Sequence, residues 1–205
     1  QGSNLSNQKL DGVNFSGQNL QWTNLSHSSL RNANFENAYL DGTNFSNSNV
    51  DGASFKGVHM TRVNLVGSNI HKSEIQKITS IEGSNLSGLD LSKINLSNFN
   101  LKGTDLSNAN LEGSNLTGTN LEMVNLKNTN LKNIILDNVI LNFVDFRSVD
   151  LSKIDLSEKS LIGSNFGDVN LENFNLSNSN LKEANFTNSN LKGANLRNTN
   201  LQFAN

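Results

Sequence analysis

Apolar side chains recur along this chain at every fifth residue. Leu5, Leu10, Phe15, Leu20, Leu25, Leu30, Phe35 and Leu40 open a series that reaches Ile75, and a second series runs from Leu86 to Leu201. All of these centres are Leu, Phe, Ile, Val or Met. The residue before the centre is mostly Asn or Asp, as at Asn4, Asn14, Asn85, Asp105 and Asn195. Two residues before it stands a Ser, Thr, Ala or Val in most repeats. Two residues after it, Gly or Asn is commonest (Gly12, Gly52, Gly103, Gly113, Asn128, Asn178). An amphipathic helix repeats near every 3.6 residues and a plain strand every two, so neither explains a period of five. A short extended piece followed by a turn does, with Gly and Asn supplying the backbone freedom of the turn. Each pentapeptide therefore predicts one side of a coil.

The phenylalanines predict the number of sides. Phe15, Phe35 and Phe55 are spaced by twenty residues, and so are Phe146, Phe166 and Phe186. Aromatic rings gain by stacking in an interior, so four pentapeptides per coil would place like above like. The chain then forms one unit over residues 1–205, an all-β solenoid of about ten coils and a length of roughly 50 Å at one strand spacing per coil.

Units such as Ser-Asn-Leu-x-Gly, Ala-Asn-Leu-x-Asn and Thr-Asp-Leu-Ser-Asn resemble the pentapeptide repeat family across essentially the whole chain. The resemblance implies a right-handed quadrilateral β-helix. It also implies that the central Leu or Phe and the small residue two before it face inward, with the remaining positions outward or at corners. The Asn before each centre reads as structural, through ladders between equivalent positions of successive coils.

Composition narrows the function. Proline is absent, against a usual share of roughly 5%, as fits a backbone whose N–H groups are needed for ladder bonds. Sixteen basic and 18 acidic residues leave a net charge of −2, which gives no nucleic-acid footprint. There is no cysteine, hence no thiol chemistry. No apolar run reaches the roughly 18 residues of a membrane span and no signal peptide is visible, so the expected location is cytoplasmic, without membrane contact. The opening Gln1-Gly2-Ser3 resembles the remnant of a cleaved tag. His27, His59 and His71 fall at unrelated positions with no metal or triad spacing. No phosphate-binding glycine motif occurs, and a rod filled with side chains offers no deep pocket. No catalytic residue, cofactor or metal is expected.

Departures from the repeat point to function. Ile75 and Leu86 are eleven residues apart rather than ten, a one-residue register break placed within 76–85 and read as a corner bulge, with a hinge or contact loop as the alternative. From Ile134 to Val149 the pattern weakens: Ile135 and Ile140 replace Asn or Asp, and Phe143 replaces a turn Gly or Asn. Projected on a four-sided coil, Met123, Phe143 and Ile162 share one face, with Trp22 and Phe203 at equivalent positions near the two ends. These residues and Ile140 are the candidate partner-binding stripe. The chain runs in phase from Asn4 to Asn205 without a polar cap, and an open coil invites pairing. Dimerisation or end-to-end association with a second copy is therefore expected.

The function expected is an interaction scaffold acting on a protein partner. The family resemblance adds an alternative, a DNA mimic that occupies a topoisomerase such as gyrase, as fluoroquinolone-resistance members do. Mimicry needs ranks of carboxylates, whereas one outward column here reads Asp11, Arg31, Asp51, His71 and another alternates Lys102 with Glu122. A third class, an ice- or crystal-binding face, would use the outward column Ser6, Ser26, Ser46, Ser87 and Ser107, which Val66 interrupts.

Overall fold

Each pentapeptide is extended for the three residues ending on its apolar centre and then turns through a residue in the left-handed region. Outside 72–77, every corner residue (the second after a centre) has φ between +53° and +73°, except Ser148 and Lys153. Four such sides close a coil. In the computed structural model, which describes residues 1–205, the chain is a right-handed quadrilateral β-helix. Each side is too short for a strand and pairs through single parallel bridges such as Asn4 to Asn24, Asn24 to Asn44 and Asn44 to Asn64. The four faces are named in order from the opening coil, with centres Leu5, Leu10, Phe15 and Leu20.

The backbone ladder has a fixed offset. A centre N–H donates to a carbonyl 19 residues on (Leu5 to Asn24, Leu25 to Asn44), and a corner N–H does the same (Gly12 to Arg31). Side chains at two other positions complete the bonding. Most hydroxyls two before a centre lie inside and donate to a carbonyl of the preceding coil, as Thr43 does to Leu20 at 2.8 Å and Ser164 to Leu141 at 2.8 Å. The Asn before the centre plays two parts: its Oδ1 accepts the N–H two residues on, and its Nδ2 donates to the residue one coil below. Asn185 Oδ1 accepts from Thr187 at 2.9 Å while Asn185 Nδ2 donates to Asn165 at 3.0 Å. Recurrent Asn thus satisfies turn amides that would otherwise be orphaned.

The interior is one continuous apolar column of 45 buried residues. Phe15, Phe35 and Phe55 stack on the third face at 5.2 and 5.1 Å, and Phe146, Phe166 and Phe186 on the first at 4.8 and 5.2 Å. Phe15 and Phe186, toward the two ends, are only half-buried. Phe45 reaches across from the first face and meets Phe35 and Phe55 edge-on at 5.5 and 5.8 Å. Ile81 is fully buried and begins the second series one repeat before Leu86.

Between the two series the chain makes a turn of helix, α1 (Lys72–Ile75). Gly57 donates to Lys77, 20 residues on instead of 19, and the same offset holds for Met60 to Ser80 and Arg62 to Glu82. Side chains replace the lost ladder. Glu74 accepts the Phe55 N–H at 3.2 Å, Asn69 accepts that of Val50 at 2.7 Å, and Lys72 Nζ donates to the Ser92 carbonyl at 2.6 Å. His71 caps α1 by accepting from Ser73 at 3.3 Å.

Candidate interaction surface

The four corners differ in what fills the left-handed position. Three are dominated by Asn and Gly, with His27, Lys93, Glu158 and Asp168 as the exceptions. The fourth corner, between the fourth face and the first, holds no Asn at all. Ladder bonds place Trp22, Gly42, Arg62, Gly83, Gly103, Met123, Phe143, Gly163, Glu183 and Phe203 there in succession. A bulky residue with positive φ is uncommon, and the left-handed conformation costs an L-residue about 1–2 kcal/mol. Six such residues therefore share one edge of the rod.

Glycine makes room for the rings. A Cβ on Gly42 would lie 2.2 Å from the Trp22 ring, and one on Gly163 would lie 2.5 Å from that of Phe143. Trp22 and Phe143 lie along the corner, each over the glycine of the next coil. The Arg62 guanidinium covers Trp22 at 5.1 Å, and Lys182 sits 6.0 Å over Phe203, within the range of cation–π attraction. Trp22, Met123, Phe143 and Phe203 remain 53, 54, 46 and 74% exposed.

The sequence-predicted stripe is brought together in part. Met123 and Phe143 occupy successive coils of the corner, Ile140 lies three residues before Phe143 on the fourth face, and the half-buried Ile162 adjoins Gly163 in the next coil. These four form one patch. Trp22 and Phe203 share the corner but stand apart, separated from the patch by glycines, Arg62 and Glu183. The exposed Tyr39, in the same outward column as Ile140 and beside Trp22, escaped the sequence reading because a lone Tyr among Asn positions looks incidental. Ile135 is exposed too, but on the third face.

Asp41 anchors the surface next to Trp22. Burial opposes its charge, but hydrogen bonds from Thr61, Gln21 and His59 outweigh that and bring its pKa to about 2. Its Oδ1 accepts from the Thr61 hydroxyl at 2.6 Å and lies 2.9 Å from His59 Nδ1. His59 is thereby engaged with a carboxylate and His71 with α1, while His27 stands at another corner.

The rod is also not solid throughout. A cleft of about 850 Å³ opens on its side between residues 146–155 and 168–175. Sequence reasoning missed it, yet a signal exists. Phe143, Ser148, Lys153 and Glu158 are four consecutive corner positions, a whole coil, without Gly or Asn. Its lining contains no histidine, and its carboxylates Asp150 and Asp155 accept the amides of Ser152 and Ser157 at 3.0 and 2.9 Å.

Comparison with known proteins agrees with this architecture. The model of the family described as pentapeptide repeats matches in eight copies over residues 1–37, 19–57, 84–122, 125–158 and 164–202. The chain belongs to the pentapeptide repeat family. Residues 58–83, which contain α1, fall outside the match. Among solved structures, a trypsin-treated variant of QnrB1, a plasmid-mediated fluoroquinolone resistance protein, is 22% identical. That match covers 72% of this chain and 86% of the other, with a TM-score of 0.48. A pentapeptide repeat protein from the thylakoid lumen of Arabidopsis thaliana is 31% identical over 58% of this chain and 69% of its own, TM-score 0.30. HetL of Nostoc sp. strain PCC 7120, involved in heterocyst differentiation regulation, is 26% identical over 98% and 88%, TM-score 0.24. No curated protein matches the chain.

Proposed function

We propose that the protein is a non-enzymatic scaffold that binds another protein along its fourth corner, with Met123, Ile140, Phe143 and Ile162 as the main contact and Trp22 and Phe203 as flanking anchors. The observation that carries the reading is the concentration of strained, exposed bulky residues at one corner out of four. Strain held at a surface without a packing need is a mark of function, and aromatic, Met and Arg side chains are the types enriched in protein interfaces. Neither a nucleic acid nor a membrane suits an edge that mixes apolar rings with both signs of charge, and no helix is long and apolar enough to cross a membrane.

A topoisomerase-binding DNA mimic is less favoured. A duplex carries one charge per about 1.7 Å, so a rod of roughly 50 Å would need about 30 carboxylates in ranks. The chain has 18 in all against 16 basic residues, and three of them are paired with lysines between coils. Lys102 pairs with Glu122 at 2.8 Å, and Lys132 with Glu112 and Lys192 with Glu172 at 3.8 Å each.

The test replaces Trp22, Met123, Phe143 and Phe203 together by Asn, the residue of the other corners. The variant is expected to keep its far-ultraviolet dichroism and lose association, read first as self-association by light scattering and then as recovery of the native partner. Association unchanged by the four substitutions would remove the corner from the account. Inhibition of gyrase supercoiling at micromolar protein, untouched by the same substitutions, would favour mimicry instead.

A further inference from the structure

Two irregularities interrupt the ladder, and they are resolved differently. At α1, side chains stand in for the missing backbone partners. Around Ser148–Leu156 nothing does. One coil further on the regular pattern holds: Leu171 donates to Asn190, Asn173 to Lys192 and Leu176 to Asn195. Leu151, Lys153 and Leu156 make no such bonds to Asn170, Glu172 and Asn175, and Asn170 and Asn175 do not donate back to Val149 and Ile154. On the other side, Leu131 and Leu136 likewise fail to reach Asp150 and Asp155.

The corners explain the opening. Ser148 and Lys153 are the two corner residues outside α1 and its flank that do not take the left-handed conformation, which Gly adopts freely and Asn tolerates. Without those two turns the second and third faces of this coil leave the plane of the ladder. The result is a pair of facing edges with unpaired N–H and C=O groups, separated by the 850 Å³ cleft. Unpaired edges are templates for an added strand, and main-chain bonding to such an edge is a general mode of peptide recognition.

Size and charge specify the occupant. A strand occupies roughly 4.8 Å between neighbours, about 10 Å through the sheet and about 3.3 Å per residue, so some 160 Å³ each. The cleft accordingly has room for about five extended residues. Asp150, Asp155 and Asp168 line it against Arg147 and Lys153, with Glu172 already paired to Lys192 at 3.8 Å, and Arg147 is held by Asp145 at 2.7 Å. Val149, Val169 and Phe174 supply apolar wall between them. We propose that this cleft binds an extended, lysine- or arginine-bearing peptide segment as an added strand that restores the interrupted ladder. The site lies on the second and third faces, away from the aromatic corner, and does not depend on the function proposed for that corner.

The test uses the full chain and an acetylated, amidated hexapeptide alternating Val and Lys. Amide hydrogen exchange at Leu151, Lys153, Asn170 and Asn175 is expected to be fast in the free protein and to slow at least about tenfold with peptide, while Leu171 is protected throughout. A Val–Glu hexapeptide, or one N-methylated at alternate amides, should bind at least about tenfold more weakly. Ser148→Gly with Lys153→Asn installs the usual corner residues. It should close the ladder, protect the four amides without peptide and reduce peptide affinity about tenfold or more. The proposal is overturned if those amides are already protected in the unsubstituted free protein. It is equally overturned if the Val–Lys peptide does not bind, if the Glu or N-methylated peptide binds as well, or if the double substitution leaves binding unchanged.

Discussion

Replacing Phe143 by Asn separates the two roles a large side chain can play in this rod. Phe143 is 46% exposed, so truncating it forfeits about half of the 1.5–3 kcal/mol that full burial of a Phe provides, roughly 1 kcal/mol. Against that stands the left-handed φ of +60°, which costs a bulky residue about 1–2 kcal/mol and Asn less. The two nearly cancel, and Phe143→Asn should change stability by no more than about 1 kcal/mol in either direction. Phe166 has no such compensation. It is fully buried and stacked on Phe146 and Phe186 at 4.8 and 5.2 Å, and Phe166→Ala should lose about 3–5 kcal/mol. Because a solenoid's stability is a sum of local terms, the measurement is native-state hydrogen exchange at Leu141 and Leu161, the centres beside the corner. A loss above about 2 kcal/mol for Phe143→Asn would make the ring a structural element and refute the view that the corner tolerates strain for the sake of contact.

Gly42→Ala adds a Cβ 2.2 Å from the ring of Trp22, the single tryptophan, whereas Gly88→Ala meets nothing within 4 Å. The first should shift tryptophan emission to the red and raise its quenching by acrylamide; the second should only cost about 1 kcal/mol of left-handed strain and leave the spectrum alone. Thr23 Oγ1 is buried without a partner, so Thr23→Val should be neutral or stabilising by up to about 1 kcal/mol. Thr43→Val one coil on removes a bond of 2.8 Å and should cost about 1 kcal/mol in urea unfolding. Asp41 is held at a pKa of about 2, below the ordinary 3.9 or so. A depressed carboxylate stabilises fully above its unfolded value and loses that contribution as pH falls through its folded one. Stability should therefore decline between pH 4 and 2 by about 1–2 kcal/mol after allowance for solvent screening, and Asp41→Asn should flatten that decline.

The period of five and the twenty-residue Phe spacing carry the fold because identical constraints recur at every coil. The same interior position, the same turn amide and the same ladder offset select Leu or Phe, Asn, and Gly or Asn. Local exceptions were harder to read. Phe45 breaks no repeat, and only the closed coil reveals that it meets Phe35 and Phe55 edge-on. The helical turn α1 depends on Glu74, Asn69 and Lys72 finding backbone partners roughly twenty residues away, which no local pattern encodes. Phe143 was legible as a departure, and Trp22 and Phe203 as its equivalents by counting. The contrast between the aromatic corner and three Asn–Gly corners required φ angles in register. Ser148 and Lys153 each look like ordinary surface residues. Only their succession without Gly or Asn marks the coil that opens.

The central claim, that one corner of the rod is built for a protein partner, is tested most directly by a photo-crosslinking scan of all four corners in the native host. Benzoylphenylalanine would replace Trp22, Met123, Phe143 or Phe203 on one corner, and Asn108, Lys93 or Asn98 on the other three. Discrete adducts with one protein from the first set, absent from the second, are the predicted result. Adducts that do not depend on the corner, or none from Met123 and Phe143, would contradict the account.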